Sequence, residues 1–113
     1  MPKSDPVLDD VFRALADPTR RAVLARLCLG PCSTTELAGE FDMALPSFMQ
    51  HLGVLEASGL VSSAKHGRVR TWELSPEPLE EAAHWLSRQR RRWERRLDQL
   101  DHYLAAMADE EKP

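Results

Sequence analysis

The chain has 113 residues, 42% of them hydrophobic and 29% charged, which fits one compact domain and excludes two large ones. Its 15 Lys and Arg against 18 Asp and Glu leave a net charge of −3, which argues against a basic tail coating nucleic acid indiscriminately but leaves room for a local basic patch. No stretch approaches the roughly 18 apolar residues of a membrane helix, and the opening residues lack a signal peptide's apolar core, so the chain reads as cytoplasmic with no membrane partner.

Proline one residue after a capping side chain marks a helix start, because φ is preset and the missing N–H costs nothing there. Asp5-Pro6 and Asp17-Pro18 both fit. The first helix is expected over residues 6–16, with Val7, Leu8, Val11, Phe12 and Leu15 forming one apolar stripe. The second is expected over 18–29, burying Ala22, Val23, Leu24 and Leu27, with Gly30-Pro31 as its stop. Ser33-Thr34-Thr35-Glu36 spells a capping box, in which the Ser33 hydroxyl accepts from the Glu36 N–H and the Glu36 carboxylate reaches back. A short third helix over 34–41 follows.

Ala44-Leu45-Pro46 opens a fourth helix, over 45–57, which Ser58-Gly59 ends. Phe48, Leu52 and Leu55 define its buried face, and at about 100° per residue Gln50 and Gly53 look away from the core with Ser47 and Met49 on the flanks. Residues 60–65 and 69–74 have strand composition around His66-Gly67-Arg68 and read as a hairpin with glycine at the tip. Three helices, a fourth and a hairpin is the order of a winged helix-turn-helix. The segment 78–108 has no internal glycine or proline and reads as one long helix. Leu79, Ala82, Leu86, Trp93, Leu97, Leu100, Leu104 and Met107 give it a nearly heptad stripe. At 1.5 Å per residue it spans about 45 Å, more than so small a domain can cover, so part of the stripe needs a second copy. Residues 109–113 read as a frayed acidic tail. The expected fold is therefore mostly α with a small β-hairpin: a single winged helix-turn-helix domain with a DNA-binding core at 6–75 and a C-terminal dimerisation helix at 76–108.

A helix-turn-helix lays its second helix in the major groove while the preceding helix faces a phosphate. Ser33, Thr34 and Thr35 occupy that anion-facing turn. Ser47 and Gln50 are the expected base readers, since a Gln amide can bond adenine N6 and N7 together and Ser serves as donor or acceptor. Leu45 and Met49 are candidates for thymine methyl contacts. His51 lies at the margin of the core and reads either as a structural histidine or as a DNA contact. In the hairpin, Lys65, Arg68 and Arg70 face a single Glu73, a basic tip suited to phosphates or the minor groove. The plain alternatives are a solvated helix face and edge cations that deter strand pairing. Arg88, Arg90, Arg91, Arg92, Arg95 and Arg96 interleave with Glu94, Asp98 and Asp101 and read as a solvated, self-paired face rather than a second nucleic-acid surface. Trp85 and Trp93 read as interface anchors.

Leu15-Ala16-Asp17-Pro18-Thr19-Arg20-Arg21, Thr35-Glu36-Leu37-Ala38, Pro46 with Gln50-His51-Leu52 and Val54-Leu55, Ser58-Gly59-Leu60-Val61, and Gly67-Arg68 together resemble the ArsR family of bacterial transcriptional regulators. The resemblance covers residues 11–75. It implies a homodimeric repressor that binds a near-palindromic operator in double-stranded DNA and dimerises through its first and last helices, which puts Leu8, Phe12, Leu86, Trp93, Leu97, Leu100 and Leu104 at the interface. Family base contacts would fall on Leu45, Ser47, Met49 and Gln50, with the polar residues often found at the first and third of these replaced. Metal-sensing members carry a cysteine box; aligned on Glu36-Leu37, Ser33 and Thr35 stand where its cysteines would.

No metal or cofactor is expected. His84 and His102 lie about 27 Å apart along one helix, too far to share an ion without an antiparallel partner. Cys28 and Cys32 are too few for a disulfide scaffold. A redox switch between them is conceivable, but the preferred reading makes Cys28 a small core residue and Cys32 an incidental loop residue. No nucleophile with a paired base, phosphate loop or carboxylate dyad appears, so the chain does not read as an enzyme. The alternative to a DNA-binding regulator is a winged-helix module that holds another protein, and no residue pattern names an effector ligand.

Overall fold

The structure, a computed structural model, describes residues 5–110. The last three residues of the expected acidic tail lie outside it. Asp5 opens helix α1 (Pro6–Leu15), its carboxylate accepting from the N–H groups of Val7 and Leu8 at 3.0 and 3.2 Å, with Pro6 in the first turn. Asp17 does the same for α2 (Pro18–Leu27), accepting from Arg20 N–H at 3.0 Å. Each carboxylate satisfies donors that the first helical turn leaves unpaired. Ser33 caps the short α3 (Thr34–Gly39), its Oγ accepting from Glu36 N–H at 3.2 Å. The other half of the expected box is diverted: Glu36 Oε2 accepts instead from the Cys32 thiol at 3.8 Å.

Helix α4 (Leu45–Ala57) starts at Ala44, which offers no capping side chain, and Pro46 supplies the preset first turn. Phe48, Leu52 and Leu55 are its buried residues, as the wheel predicts. The wing consists of β2 (Val61–His66) and β3 (Val69–Leu74), with His66 facing Val69. Gly67 has φ +63°, and no non-glycine residue is left-handed among those described. A two-residue turn with positive φ at its first position matches the right-handed strand twist.

A third strand was not expected. Residues Cys32 and Ser33 form β1, which pairs antiparallel with β3, Cys32 opposite Trp72 and Ser33 opposite Thr71, giving the order β1-β3-β2. This corrects both cysteine assignments: Cys32 is 2% exposed inside the core and Cys28 is the exposed one. The physical reason is the strand pleat, which turns Cys32 inward, whereas Cys28 caps the end of α2 on its outer face. The second and third helices also end two residues early, at Leu27 and Gly39, and Ala22 is exposed.

The described chain divides into two compact units, one ending at Ala82 and the other beginning at Ala83. In the first, Val11, Val23, Leu27, Leu37, Phe48, Leu52, Leu55, Leu60 and Trp72 close a single apolar core, with Leu8, Phe12 and Leu15 packed partly against it. The second unit belongs to helix α5 (Pro76–Glu110), which runs two residues beyond each expected end, so Asp109 and Glu110 are helical rather than tail. Along it Leu86, Leu97, Leu100 and Leu104 are each about half exposed and Trp93 is 68% exposed. Among the described residues no helix is long and apolar enough to cross a membrane.

Candidate nucleic-acid interface

The surface of α4 opposite its core face is built mostly from uncharged groups. Leu45, Ser47, Met49, Gln50 and Gly53 are exposed, and neither the Ser47 hydroxyl nor the Gln50 amide has a hydrogen-bond partner among the described residues. Phe48 anchors the helix from beneath, its ring 5.1 Å from that of Phe41. Fixing the buried side of a helix fixes the direction of its outward side chains.

His51 is turned the other way, toward the junction of α1 and α2. Its Nδ1 lies 3.3 Å from Arg20 Nη1 and 3.7 Å from an Asp17 carboxylate oxygen. The Arg20 guanidinium is itself committed, donating to the carbonyls of Ala14 at 2.8 Å and Arg13 at 2.9 Å. Arg21 Nη1 donates to Leu15 O at 2.6 Å. The run Asp17-Pro18-Thr19-Arg20-Arg21 thus starts one helix with its carboxylate and closes the preceding one with its guanidiniums. Of the two readings of His51, this geometry favours the structural one. Asp17 is held below its ordinary pKa, first by the Arg20 N–H, with burial opposing and the charges of His51 and Arg20 assisting. The sequence alone does not assign Arg20 and Asp17 to seating α4, although both lie in a run that it singles out.

On the wing, Arg70 Nη1 donates to Ser63 Oγ at 2.8 Å, and Ser63 Oγ donates to Glu56 Oε2 at 3.0 Å. Glu56 sits on the last turn of α4, so this chain of bonds ties the hairpin to that helix. Lys65 stands directly opposite Arg70 in the ladder, two like charges side by side. Arg68 occupies the turn itself, exposed and without a hydrogen bond or ion pair among the described residues.

Ser33, Thr34, Thr35 and Glu36 line an open concavity of about 440 Å³ together with Arg68, Val69 and Arg70. The turn before α3 and the wing cations Arg68 and Arg70, far apart in sequence, therefore share one surface. Within it Thr34 is not available as expected: its Oγ1 accepts from Trp72 Nε1 at 2.7 Å and lies 3.3 Å from Arg70 O. A buried indole N–H needs an acceptor, and Thr34 is the one β1 and β3 bring to it. Ser33 is likewise engaged as a cap, which leaves Thr35 as the exposed hydroxyl of the three.

Cys32 contacts Arg26 Nη2 at 3.5 Å as well as Glu36, and Arg26 pairs with Glu40 at 2.9 Å. Burial pushes the thiol above its usual pKa, with Arg26 pulling against it. No group of three or more His, Cys, Asp or Glu side chains fit to hold a metal ion occurs among the described residues.

Known proteins are similar to this chain in sequence and fold. A family model described as a helix-turn-helix domain matches residues 15–64. The chain is 41% identical over 71 residues to the HTH-type transcriptional regulator Rv2034 of Mycobacterium tuberculosis, a match spanning 63% of this chain and 66% of that one. It is 29% identical over 79 residues to the transcriptional repressor SdpR of Bacillus subtilis, spanning 70% of this chain and 88% of that protein. A solved structure of an ArsR family transcriptional regulator is similar at a TM-score of 0.76 and 51% identity, covering 83% of this chain and 97% of that chain.

Proposed function

The chain belongs to the ArsR family of winged helix-turn-helix transcriptional regulators, and from that premise we propose that it works in the cytoplasm as a homodimeric repressor on a near-palindromic operator. The family is one of DNA-binding regulators, a class without enzymatic chemistry. Repression is carried over from the similarity to the transcriptional repressor SdpR.

The single observation that carries the dimer is the uncovered stripe of α5. Leu86, Trp93, Leu97, Leu100 and Leu104 leave at least half of each side chain in water. Their near-heptad spacing suits a second copy of the same helix, and burying such side chains contributes on the order of 1–2 kcal/mol each. The family resemblance assigns Leu8 and Phe12 of α1 to the dimer interface as well. Each protomer then presents one α4 to a major groove, with Ser47 and Gln50 toward base edges and Thr35, Lys65, Arg68 and Arg70 toward phosphates. Leu45 and Met49 join the reading face. The juxtaposed Lys65 and Arg70 repel one another in the free protein, a strain that a polyanion relieves.

Sedimentation combined with shift assays over a salt series tests this reading. A dimer at micromolar concentration is expected, with log affinity falling linearly as log salt rises. A lone subunit on duplex DNA sinks the dimer. If Gln50→Ala and Arg68→Ala both leave affinity unchanged, the contact assignments fail. Salt-insensitive behaviour with no selected DNA sequence supports a protein-binding module instead.

A further inference from the structure

The outer surface of α4 lacks charge up to Glu56 on its last turn. From Met43 to Leu55 His51 is the one ionisable side chain, and its ring is occupied by Arg20 and Asp17. In place of cations the outer face carries Leu45, 56% exposed, and Met49, 38% exposed, one helical turn apart on the same face. Gly53 continues that line with no side chain, and a Cβ there would meet nothing within 4 Å. The helix can therefore approach a flat surface closely along the row of Leu45, Met49 and Gly53.

Base edges in the major groove offer donors, acceptors and a single apolar group, the C5-methyl of thymine. Two apolar side chains flanked by the Ser47 hydroxyl and the Gln50 amide match a mixed edge of this kind. They do not match a protein partner, whose stable interfaces take about 800 Å² from each side. The phosphate-directed cations Lys65, Arg68 and Arg70 lie in the same compact unit. We infer that Leu45 and Met49 are specificity-determining residues that pack on thymine methyl groups, so that the contacted core of each operator half-site contains A·T pairs. The inference rests on the operator-binding reading above and adds what that operator must contain.

Selection of duplexes from a random library by the full-length chain, followed by replacement of each core thymine with uracil, is the test, because the exchange removes the methyl and nothing else. Affinity is expected to fall about fourfold per contacted methyl, the equivalent of one buried methyl group. Leu45→Ala or Met49→Ala should weaken binding to the thymine duplex and abolish the thymine-over-uracil preference at the position it reads. Both side chains are exposed, so thermal melts of the variants should match the parent; should either variant not fold, the uracil series on the parent chain alone decides. Uracil-insensitive binding to a selected sequence, or a selected core of G·C pairs alone, overturns this inference and leaves the regulator reading intact. Selection of no sequence at all overturns both.

Discussion

Arg20 connects three segments of chain through one planar group, donating to Ala14 O and Arg13 O and approaching His51 Nδ1. Arg20→Ala takes the guanidinium from the part-buried Ala14 carbonyl, from His51 Nδ1 and from the exposed Arg13 carbonyl, which keeps the Ala16 N–H, an expected loss of about 2 kcal/mol in urea unfolding. A midpoint unchanged from the parent would show that water replaces the guanidinium at no cost. Asp17 adds a pH signature. Its folded pKa lies below the ordinary 3.8, so the ionised carboxylate contributes stability that is fully present above that value and lost as pH falls through the folded value. The parent melting temperature should therefore drop more steeply below pH 3.8 than that of Asp17→Asn, which keeps a capping oxygen but cannot titrate; parallel curves exclude the effect. For the cysteines, a thiol reagent at mildly alkaline pH should modify Cys28 alone in the folded chain, with Cys32 reacting only after denaturation. Equal rates at both would contradict the buried placement of Cys32.

Between elements, the tie from Glu56 through Ser63 to Arg70 holds the wing to the C-terminal end of α4. Ser63→Ala removes both bonds while leaving a half-exposed strand position filled. Its expected effect is little change in melting temperature with operator affinity reduced about fivefold, the equivalent of one ordinary hydrogen bond. Fluorescence titration of an operator duplex measures it, and affinity equal to the parent's would mean the wing is positioned by the strand ladder alone. Elements themselves were legible to different degrees. The Asp5 and Asp17 helix starts and the Phe48, Leu52 and Leu55 face emerge from residues within one or two turns of each other, which is the range over which periodicity carries information. Strand β1 has two residues, too few for any alternation, and its partner lies at Thr71 and Trp72.

In the proposed dimer, assembly couples the helix stripe to recognition. Replacing Leu97 and Leu100 together by Glu places charge where two helices are proposed to meet, and burying such a charge unpaired costs several kcal/mol. The double variant should sediment as a single subunit at micromolar concentration. Operator affinity should fall more than about tenfold, because two half-sites are no longer engaged by one particle. A variant that remains dimeric would remove α5 from the interface.

The residue order alone established the helix starts, the buried face of α4, the hairpin and the uncovered leucines of α5, since each follows from neighbours close in the chain. It placed Ser33 as a cap and picked out the Asp17 to Arg21 run and His51 without assigning them to one another. Which cysteine is buried, what Thr34 bonds and where His51 turns depend on pairs separated by 31 to 40 positions, such as Arg20 with His51 and Cys32 with Trp72. Such contacts are chosen by the packing of the completed core, because a short polar side chain has several acceptable local partners and burial leaves only one within reach.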